Sequence, residues 1–318
     1  MRKKTFIILI GFLIQFGATA QEKLCLKPDN LIDADTITLG AGNLSAVFVN
    51  NNAYGPRHRV GYSGIAELHH TAQDSSPFVP EYAGINYEHV MSGIVPDDIF
   101  EPRRPPMYLA RDGDDGVFLY QKPTPQSKVE SITHFKLVAP HYIDFTFRFV
   151  IHDMAYYPHD YAGIFWASYI DTPKDKKIYF KGIEGNNNEE KWIASYSESH
   201  GDKSTHKSLE DKHNFFFADD FPISLANHFS DYRYTQPFYY GLFHNMAFAF
   251  LFESSEGIRF SQSPTGGGEH NPAWDFQYLV PDVQPGKEYA FRARFIYKPF
   301  AGDMDIQKEF QEWKRTLD

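Results

Sequence analysis

Apolar and polar residues alternate along most of the chain from Thr36 onward. In the segment HYIDFTFRFVIHD (141–153), three phenylalanines alternate with Asp, Thr and Arg, which places the aromatic rings on one face of a β-strand. About fourteen such segments are separated by turn signals, and RDGDDG (111–116) predicts a hairpin. Because strands do not alternate with helices, the pattern predicts an all-β fold, namely a large antiparallel two-sheet β-sandwich.

Two other segments depart from this alternation. The C-terminal stretch DMDIQKEFQEWKRTL (303–317) has apolar residues at helical spacing and predicts an amphipathic helix, capped by Asp303 or Asp305, that packs on a sheet. The polar stretch SESHGDKSTHKSLEDKHN (197–214) predicts a long surface loop.

The N-terminal residues predict export. A basic start precedes an apolar run and an Ala-Thr-Ala ending at residue 20, which is typical of a secretory signal peptide over residues 1–20. The remainder, 21–318, is expected to form a single β-sandwich catalytic domain in the periplasm or outside the cell. Cys25 is the only cysteine, so no intramolecular disulfide can form, and the lysine two residues before it argues against a lipid anchor.

The charge balance limits the partners. The chain has 31 basic and 41 acidic residues, and three of the basic ones fall in the predicted leader. Such an acidic protein is a poor candidate for binding nucleic acid. No segment after the leader is apolar enough to span a membrane. An acidic glycan would therefore have to be bound by a local basic pocket.

Four polar, aromatic-rich clusters at predicted strand ends carry the candidate chemistry. The first, YGPRHRVGYSGIAELHH, contains Arg57 and His58 and predicts either a small basic pocket for a carboxylate or sulfate or a solvated turn. The second, HDMAYYPHDYAG, offers His159 as a base near neutral pH and Tyr157 as an acid. Its structural alternative is a tyrosine-rich loop that packs on a sheet edge.

The third cluster, NHFSDYRYTQPFYYGLFH, has His228 and Arg233 on either side of an aromatic turn, with Tyr240 as a candidate acid. His228 and Arg233 are expected to bind substrate. His244 falls in a strand-like run and is expected to be a core histidine with its hydrogen bonds satisfied.

The fourth cluster, SPTGGGEHNPAWDFQYLV, places three glycines before Glu269 and His270. Glycine lets backbone N–H groups approach a ligand, and an ordinary hairpin needs only one glycine, so function is favoured here over a plain turn. Trp274 begins the next strand and is expected to offer a flat stacking surface to a sugar.

Several other chemistries are disfavoured. The chain has no Gly-x-Ser-x-Gly elbow, no phosphate-binding loop, no dinucleotide fingerprint and no His-Glu-x-x-His helix. No organic cofactor is expected. The histidines lack a diagnostic metal-binding spacing, so no metal ligand is assigned, although the histidine and carboxylate content leaves a divalent metal open.

The motifs YGPRHRVGYS, GGGEHNPAWDFQYLVPDV and YAFRARFIYKPF, with the final helix, resemble exported β-sandwich proteins of bacterial polysaccharide-degradation systems. The last motif is similar to large sandwiches of the galactose-mutarotase-like type, which occur in several lyases and glycosidases. The whole mature chain also resembles dehydratases that act on oligosaccharides from ulvan, an algal uronate–rhamnose sulfate polysaccharide. No catalytic residue is carried over from that resemblance.

The resemblance implies β-elimination from a uronate, with loss of water or of a sugar. This reaction needs a base, a group that neutralises the carboxylate and an acid for the leaving oxygen. The candidates for these roles are, in turn, His159 or His270; Arg57, Arg233 or a metal; and Tyr240 or Tyr157. One alternative is a glycoside hydrolase that uses Glu269 with Asp160 or Asp231. Another is a non-catalytic protein that binds carbohydrate through its aromatic side chains.

Overall fold

The computed structural model describes residues 24–28, 31–185 and 189–317. The predicted signal peptide lies outside the described residues. Within them the chain forms eighteen β-strands, two α-helices and one 3-10 turn at Glu101–Arg103. The first nine strands are β1 Thr36–Ala41, β2 Leu44–Val49, β3 Gly64–His70, β4 Asn86–Met91, β5 Met107–Asp112, β6 Gly116–Gln121, β7 Val129–Val138, β8 Tyr142–Ile151 and β9 Tyr161–Ala167. The others are β10 Ile178–Glu184, β11 Lys191–Ser195, β12 Thr205–Ser208, β13 Phe229–Tyr234, β14 Phe238–Phe243, β15 Met246–Phe252, β16 Ile258–Gly268, β17 Asn271–Pro281 and β18 Glu288–Pro299; the helices are α1 Ser224–Asn227 and α2 Asp303–Arg315.

The strands form one long hydrogen-bonded sheet and one small sheet. The long sheet has the order β4-β9-β17-β16-β12-β13-β10-β14-β15-β18-β8-β7-β6-β5, with β11 paired to β10, and the small sheet has the order β1-β2-β3. The long sheet folds over itself, because rings from its two ends meet in the core: Phe145 of β8 lies 5.1 Å from Trp166 of β9 between ring centroids. This two-layered, strand-rich architecture confirms the predicted sandwich.

The alternation of side chains places the phenylalanines in the core. In β8, Phe145, Phe147 and Phe149 are buried, while Asp144 and Arg148 lie on the other face and pair with arginine and glutamate side chains of β18. The RDGDDG hairpin also forms, between β5 and β6. One pair of strands departs from the expected antiparallel pattern, because β12 and β13 run parallel.

The predicted C-terminal helix is confirmed as α2. Its apolar residues Ile306, Phe310 and Trp313 are buried against β14, β15 and β18. The expected aspartate cap is wrong, because the N-cap residue is Gly302 and no side chain caps the helix. Asp303 instead accepts a hydrogen bond from Tyr240, and Asp305 pairs with a lysine of β18.

Two further sequence interpretations are corrected by the structure. The polar stretch expected to be one long loop contains β12, which is buried because its polar side chains find partners: Thr205 donates to the Leu225 carbonyl, and His206 bonds serine hydroxyls. His244 is exposed in the turn between β14 and β15 rather than in the core, and its φ of 55° is typical of a turn.

Residues 209–223 form a strap over the long sheet. This strap has no strand or helix, and it covers the outer face of β9, β16 and β17. It is held by the Ala218 N–H, which donates to the Gly93 carbonyl at 2.8 Å, and by the Tyr161 hydroxyl, which donates to the Phe216 carbonyl. As a result, polar side chains that β16 and β17 direct to this face are buried.

Candidate functional site

The first sequence cluster forms a cavity of about 310 Å³ on the outer side of the small sheet. That volume falls in the range of small-molecule sites. Its ionisable lining residues are Tyr54, Arg57, His58, Glu67 and His69. Gly55, with a φ of 55°, makes the tight turn that brings these groups together, since the Tyr54 N–H donates across it to the His58 carbonyl at 3.4 Å.

A β-bulge directs Glu67 and His69 toward the cavity. Val47 of β2 pairs with Glu67, whereas the next residue, Phe48, pairs with Ile65, so Ala66 is the extra residue of the bulge. Without this extra residue, Glu67 would share a face with the buried Ile65. The bulge therefore converts a core-facing position into a cavity-facing one.

Glu67 and His69 form a hydrogen-bonded pair. The His69 Nε2 atom lies 3.2 Å from the Glu67 Oε2 atom, and its Nδ1 atom lies 3.0 Å from the Asp74 carbonyl oxygen. Burial raises the pKa of the Tyr54 phenol, and the charge of Glu67 and a hydrogen bond to it raise that pKa further. Tyr54 therefore stays protonated near neutral pH, as a general acid must.

Arg57 and His58 form the rim and the wall of the cavity. Arg57 is exposed, and its Nε and Nη2 atoms donate to the Glu81 Oε1 atom at 3.0 and 2.8 Å, which lowers the pKa of Glu81. His58 is only 5% exposed, and its Nε2 atom lies 2.8 Å from the Tyr62 carbonyl oxygen. Burial lowers the pKa of His58, so this wall is neutral at physiological pH.

A buried ionic network, which the sequence patterns did not reveal, lies behind Tyr62. Arg103 stacks on the Tyr62 ring at 4.1 Å, pairs with Glu88 at 3.1 Å and donates to the Tyr169 hydroxyl at 2.7 Å. Burial alone would raise the pKa of Glu88, but Arg103 and His89 outweigh it and lower this pKa to about 2. In sequence, Glu88 falls inside an ordinary strand pattern and the arginine in a proline-rich turn, so neither position carried a signal.

A second buried carboxyl group has the opposite behaviour. Asp275 on β17 is fully buried, and burial together with the charge of Glu88 raises its pKa well above the usual range. The Ser168 N–H donates to it at 3.0 Å. Both Asp275 and the Glu88 network are closed to solvent, so they stabilise this region rather than contact a substrate directly.

The second sequence cluster lies at a different place. Tyr157 is buried, with its hydroxyl donating to the Ser127 carbonyl at 2.9 Å, so the phenol proposed as an acid is a core group. His159 is exposed, and its ring lies 4.1 Å from that of Phe216 on the strap. It lines a separate cavity of about 400 Å³ that also contains His213.

The third cluster is spread over several elements. Tyr240 is buried beneath α2, and its hydroxyl is used by Asp303. His228 is exposed and bonds the Gly201 carbonyl. Arg233 donates to the carbonyls of Ser208 and Asp211 at 3.2 and 3.3 Å. These three residues therefore do not form one site, and Tyr240 has a structural role.

The fourth cluster is a hairpin tip. Glu269 and His270 are exposed there, and the Glu269 backbone carbonyl accepts a hydrogen bond from Lys176 at 2.6 Å. Packing explains Gly266, because a Cβ atom there would lie 2.6 Å from the Ala273 side chain, and the φ of 128° at Gly268 favours glycine. Trp274 is fully buried, so it cannot stack on a sugar.

The geometry of β17 keeps His159 and His270 apart. His270 precedes the first residue of β17, whereas His159 lies two residues before Tyr161, which pairs with Pro281 at the other end of that strand. Ten residue steps of a strand span roughly 33 Å. The four clusters therefore do not converge on one patch. The first and second clusters line separate cavities, and of these two linings only that of the first contains an arginine.

One group of side chains has atoms close enough to share a metal ion. The ligand atoms of Cys25, Glu130 and His152 lie within 4.8 Å of one another. Glu130 already accepts hydrogen bonds from the backbone N–H groups of Cys25 and Leu26, from Tyr120 and from the His152 ring. The Glu130 carboxylate thus attaches the N-terminal segment to β7, and we do not assign it as a metal ligand.

Among the described residues, no helix is both long and apolar enough to traverse a lipid bilayer.

Comparison with known proteins gives matches only among solved structures. No family model and no curated protein matches the chain. A protein assigned as an aldose 1-epimerase from Escherichia coli K12 is 9% identical, with 83% of this chain and 99% of that chain covered and a TM-score of 0.48. An aldose epimerase homologue from C. elegans is 5% identical, with 83% and 98% covered and a TM-score of 0.46.

A heparan sulfate lyase from Pedobacter heparinus is 9% identical, with 84% of this chain but only 35% of the lyase covered and a TM-score of 0.43. TM-scores below 0.5 are too low to assign a reaction or a substrate to this chain.

Proposed function

We propose that this protein is an exported carbohydrate-active enzyme that acts by β-elimination on uronate-containing oligosaccharides from an acidic polysaccharide such as ulvan. The observation that carries the proposal is the cavity that combines a guanidinium group, a protonated phenol and an imidazole–carboxylate pair. These are the three kinds of group that elimination beside a carboxylate requires.

The roles follow from the positions of the groups. Arg57 at the rim neutralises the uronate carboxylate, since its Nη1 atom makes no hydrogen bond within the described residues. The Glu67 carboxylate, which His69 holds in place, takes the proton from the carbon beside the uronate carboxylate. The electron pair forms the new double bond, and Tyr54 donates its proton to the departing oxygen, which leaves as water or as a sugar hydroxyl.

The composition of the cavity favours elimination over hydrolysis. Glycoside hydrolysis needs two carboxylates on opposite sides of the bond. Glu67 is the sole carboxylate among the described residues that line this cavity, and Glu269 lies on the β16–β17 hairpin tip, outside that lining.

The test is incubation with uronate oligosaccharides, followed by ultraviolet absorbance and mass spectrometry. A conjugated double bond raises the absorbance, and the product mass distinguishes loss of one water from cleavage. We expect His69→Gln and Tyr54→Phe each to lower kcat by a factor of about 10² or more. The matched control is His244→Gln, which changes an exposed histidine in a distant turn.

Three results would contradict the proposal. Full activity of both cavity variants would remove the assigned residues from the reaction. New reducing ends without a double bond would indicate hydrolysis, and unchanged oligosaccharide that still binds would indicate a binding protein. Export is tested separately, by locating the processed chain outside the cytoplasm.

A further inference from the structure

Arg259 on β16 is a buried cation with unused donors. Its side chain is 1% exposed, and its Nε atom donates to the Asp211 Oδ2 atom at 2.9 Å. Its Nη1 and Nη2 atoms are buried without a hydrogen-bond partner among the described residues. Leaving charged donors unpaired in a protein interior is costly, and such groups are usually satisfied by protein, water or a ligand.

Two more cations converge on the same aspartate. Lys207 Nζ lies 3.6 Å from the Asp211 Oδ1 atom and donates to the His213 carbonyl at 2.8 Å. Arg233 donates to the Asp211 carbonyl at 3.3 Å. Arg259 and Lys207 therefore lie beside the Asp211 carboxylate and Arg233 contacts its backbone, while the neighbouring Glu210 is turned to the Ser255 hydroxyl at 3.4 Å. This local excess of positive charge contrasts with the negative charge of the whole chain.

Aromatic rings lie beside the Arg259 guanidinium group, so a ligand would contact this group along its N–H edge. The rings of Phe215 and Phe229 lie 5.1 Å from its Cζ atom. Aromatic rings near the guanidinium make cation–π contacts and restrict its orientation, while the N–H donors remain directed outward in its plane. Two parallel donors in that plane match two oxygens of a carboxylate or a sulfate.

Some of the aromatic side chains beside Arg259 reach the protein surface. Phe229 is 41% exposed, and Phe215 belongs to the strap, which has no regular secondary structure. Phe216, next along the strap, is 50% exposed. Exposed aromatic rings beside an anion site are suited to the apolar face of a sugar ring.

We propose that Arg259, Lys207 and Arg233 bind the carboxylate or sulfate group of an acidic saccharide, with Phe229 stacked on the sugar. This site lies outside the 310 Å³ cavity and shares no residue with it. Anion binding at this site can therefore be tested independently of the proposed elimination reaction.

The first experiment measures anion binding by thermal unfolding and calorimetry, with sodium sulfate compared with sodium chloride at equal ionic strength. Sulfate is expected to raise Tm of the wild type, since a ligand that binds only the native state stabilises it. Arg259→Met should retain only the smaller, non-specific stabilisation that sulfate gives to folded proteins. Arg148→Met is the matched control, because it removes an exposed arginine that pairs with Glu288, and it should keep the shift.

A second variant tests the same site in case Arg259→Met does not fold. Lys207→Met should weaken sulfate affinity by about tenfold, which corresponds to the loss of one charge-assisted contact. Equal sulfate shifts in the wild type and in all three variants would overturn the site.

The second experiment identifies the source of the anion. Glucuronate, a sulfated monosaccharide, glucose and inorganic sulfate are compared by calorimetry with the wild type and Phe229→Ala. The acidic sugars are expected to bind at least tenfold more tightly than inorganic sulfate, and Phe229→Ala should remove this advantage. Inorganic sulfate that binds as tightly as the acidic sugars, or glucose that binds equally well, would overturn the saccharide assignment.

Discussion

The histidines of this protein lie in very different environments, and their positions in the sequence do not indicate these differences. His206 of β12 is completely buried, between the hydroxyls of Ser195 and Ser230, and no charged group in the described part of the chain is paired with it. Burial alone lowers its pKa to about 3. Burial also lowers the pKa of His58 in the cavity wall. Both rings are neutral in the native state.

This burial predicts loss of stability in acid. An unfolded histidine has a pKa near 6.5, so below that pH the unfolded chain binds a proton that native His206 does not. Stability is therefore present above about pH 6.5 and falls as the pH drops toward 3. Between pH 7 and pH 5, His206 should contribute a loss of roughly 2 kcal/mol.

The measurement is urea unfolding of the wild type and His206→Gln at both pH values. The variant should show the smaller decrease on acidification, while His244→Gln, at an exposed position, should match the wild type. An unchanged pH dependence in His206→Gln would show that the ring is already charged in the native protein.

At the scale of single elements, α2 depends on packing rather than capping. Its N-cap is a glycine without a side-chain hydrogen bond, so its stability comes from the three apolar residues that it buries against the outer face of β14, β15 and β18. Tyr240 contributes from the sheet side through its bond to Asp303.

Removal of one of these apolar side chains should therefore release the helix. Trp313→Ala is expected to lower the free energy of unfolding by about 3 to 5 kcal/mol, since it leaves a large cavity under α2. Met304→Ala, at an exposed position of the same helix, should change it by less than about 0.5 kcal/mol. Equal effects of the two substitutions in chemical denaturation would contradict the packing argument.

At the scale of the whole molecule, the Glu88–Arg103–Tyr169 network joins segments that are distant in sequence. Glu88 belongs to β4, Arg103 to the 3-10 turn, and Tyr169 to the chain after β9. These charges are buried, so each one depends on its partner to offset the cost of leaving water.

This dependence predicts a non-additive double-mutant cycle. Glu88→Gln and Arg103→Met should each cost about 3 to 5 kcal/mol, because each leaves a buried charge without its partner. The double variant should cost clearly less than the sum of the two. Additive values, measured by urea unfolding at neutral pH, would show that the two charges are not coupled.

The sequence by itself determined the strand-rich architecture and the terminal helix. Alternation and helical spacing report which face of a local element is apolar, and burial of apolar side chains drives that choice. The turn around Gly55 is also a local feature, and it brings Tyr54, Arg57 and His58 to the lining of one cavity.

Only the tertiary structure decided which candidate residues share a site. The bulge at Ala66 turns Glu67 toward the cavity, and the length of β17 separates His159 from His270. The burial of His206 and Arg259 likewise arises from strands and a strap that come from elsewhere in the chain. Local patterns cannot contain this information, because the environment of a side chain is set by residues that are neighbours in space and not in sequence.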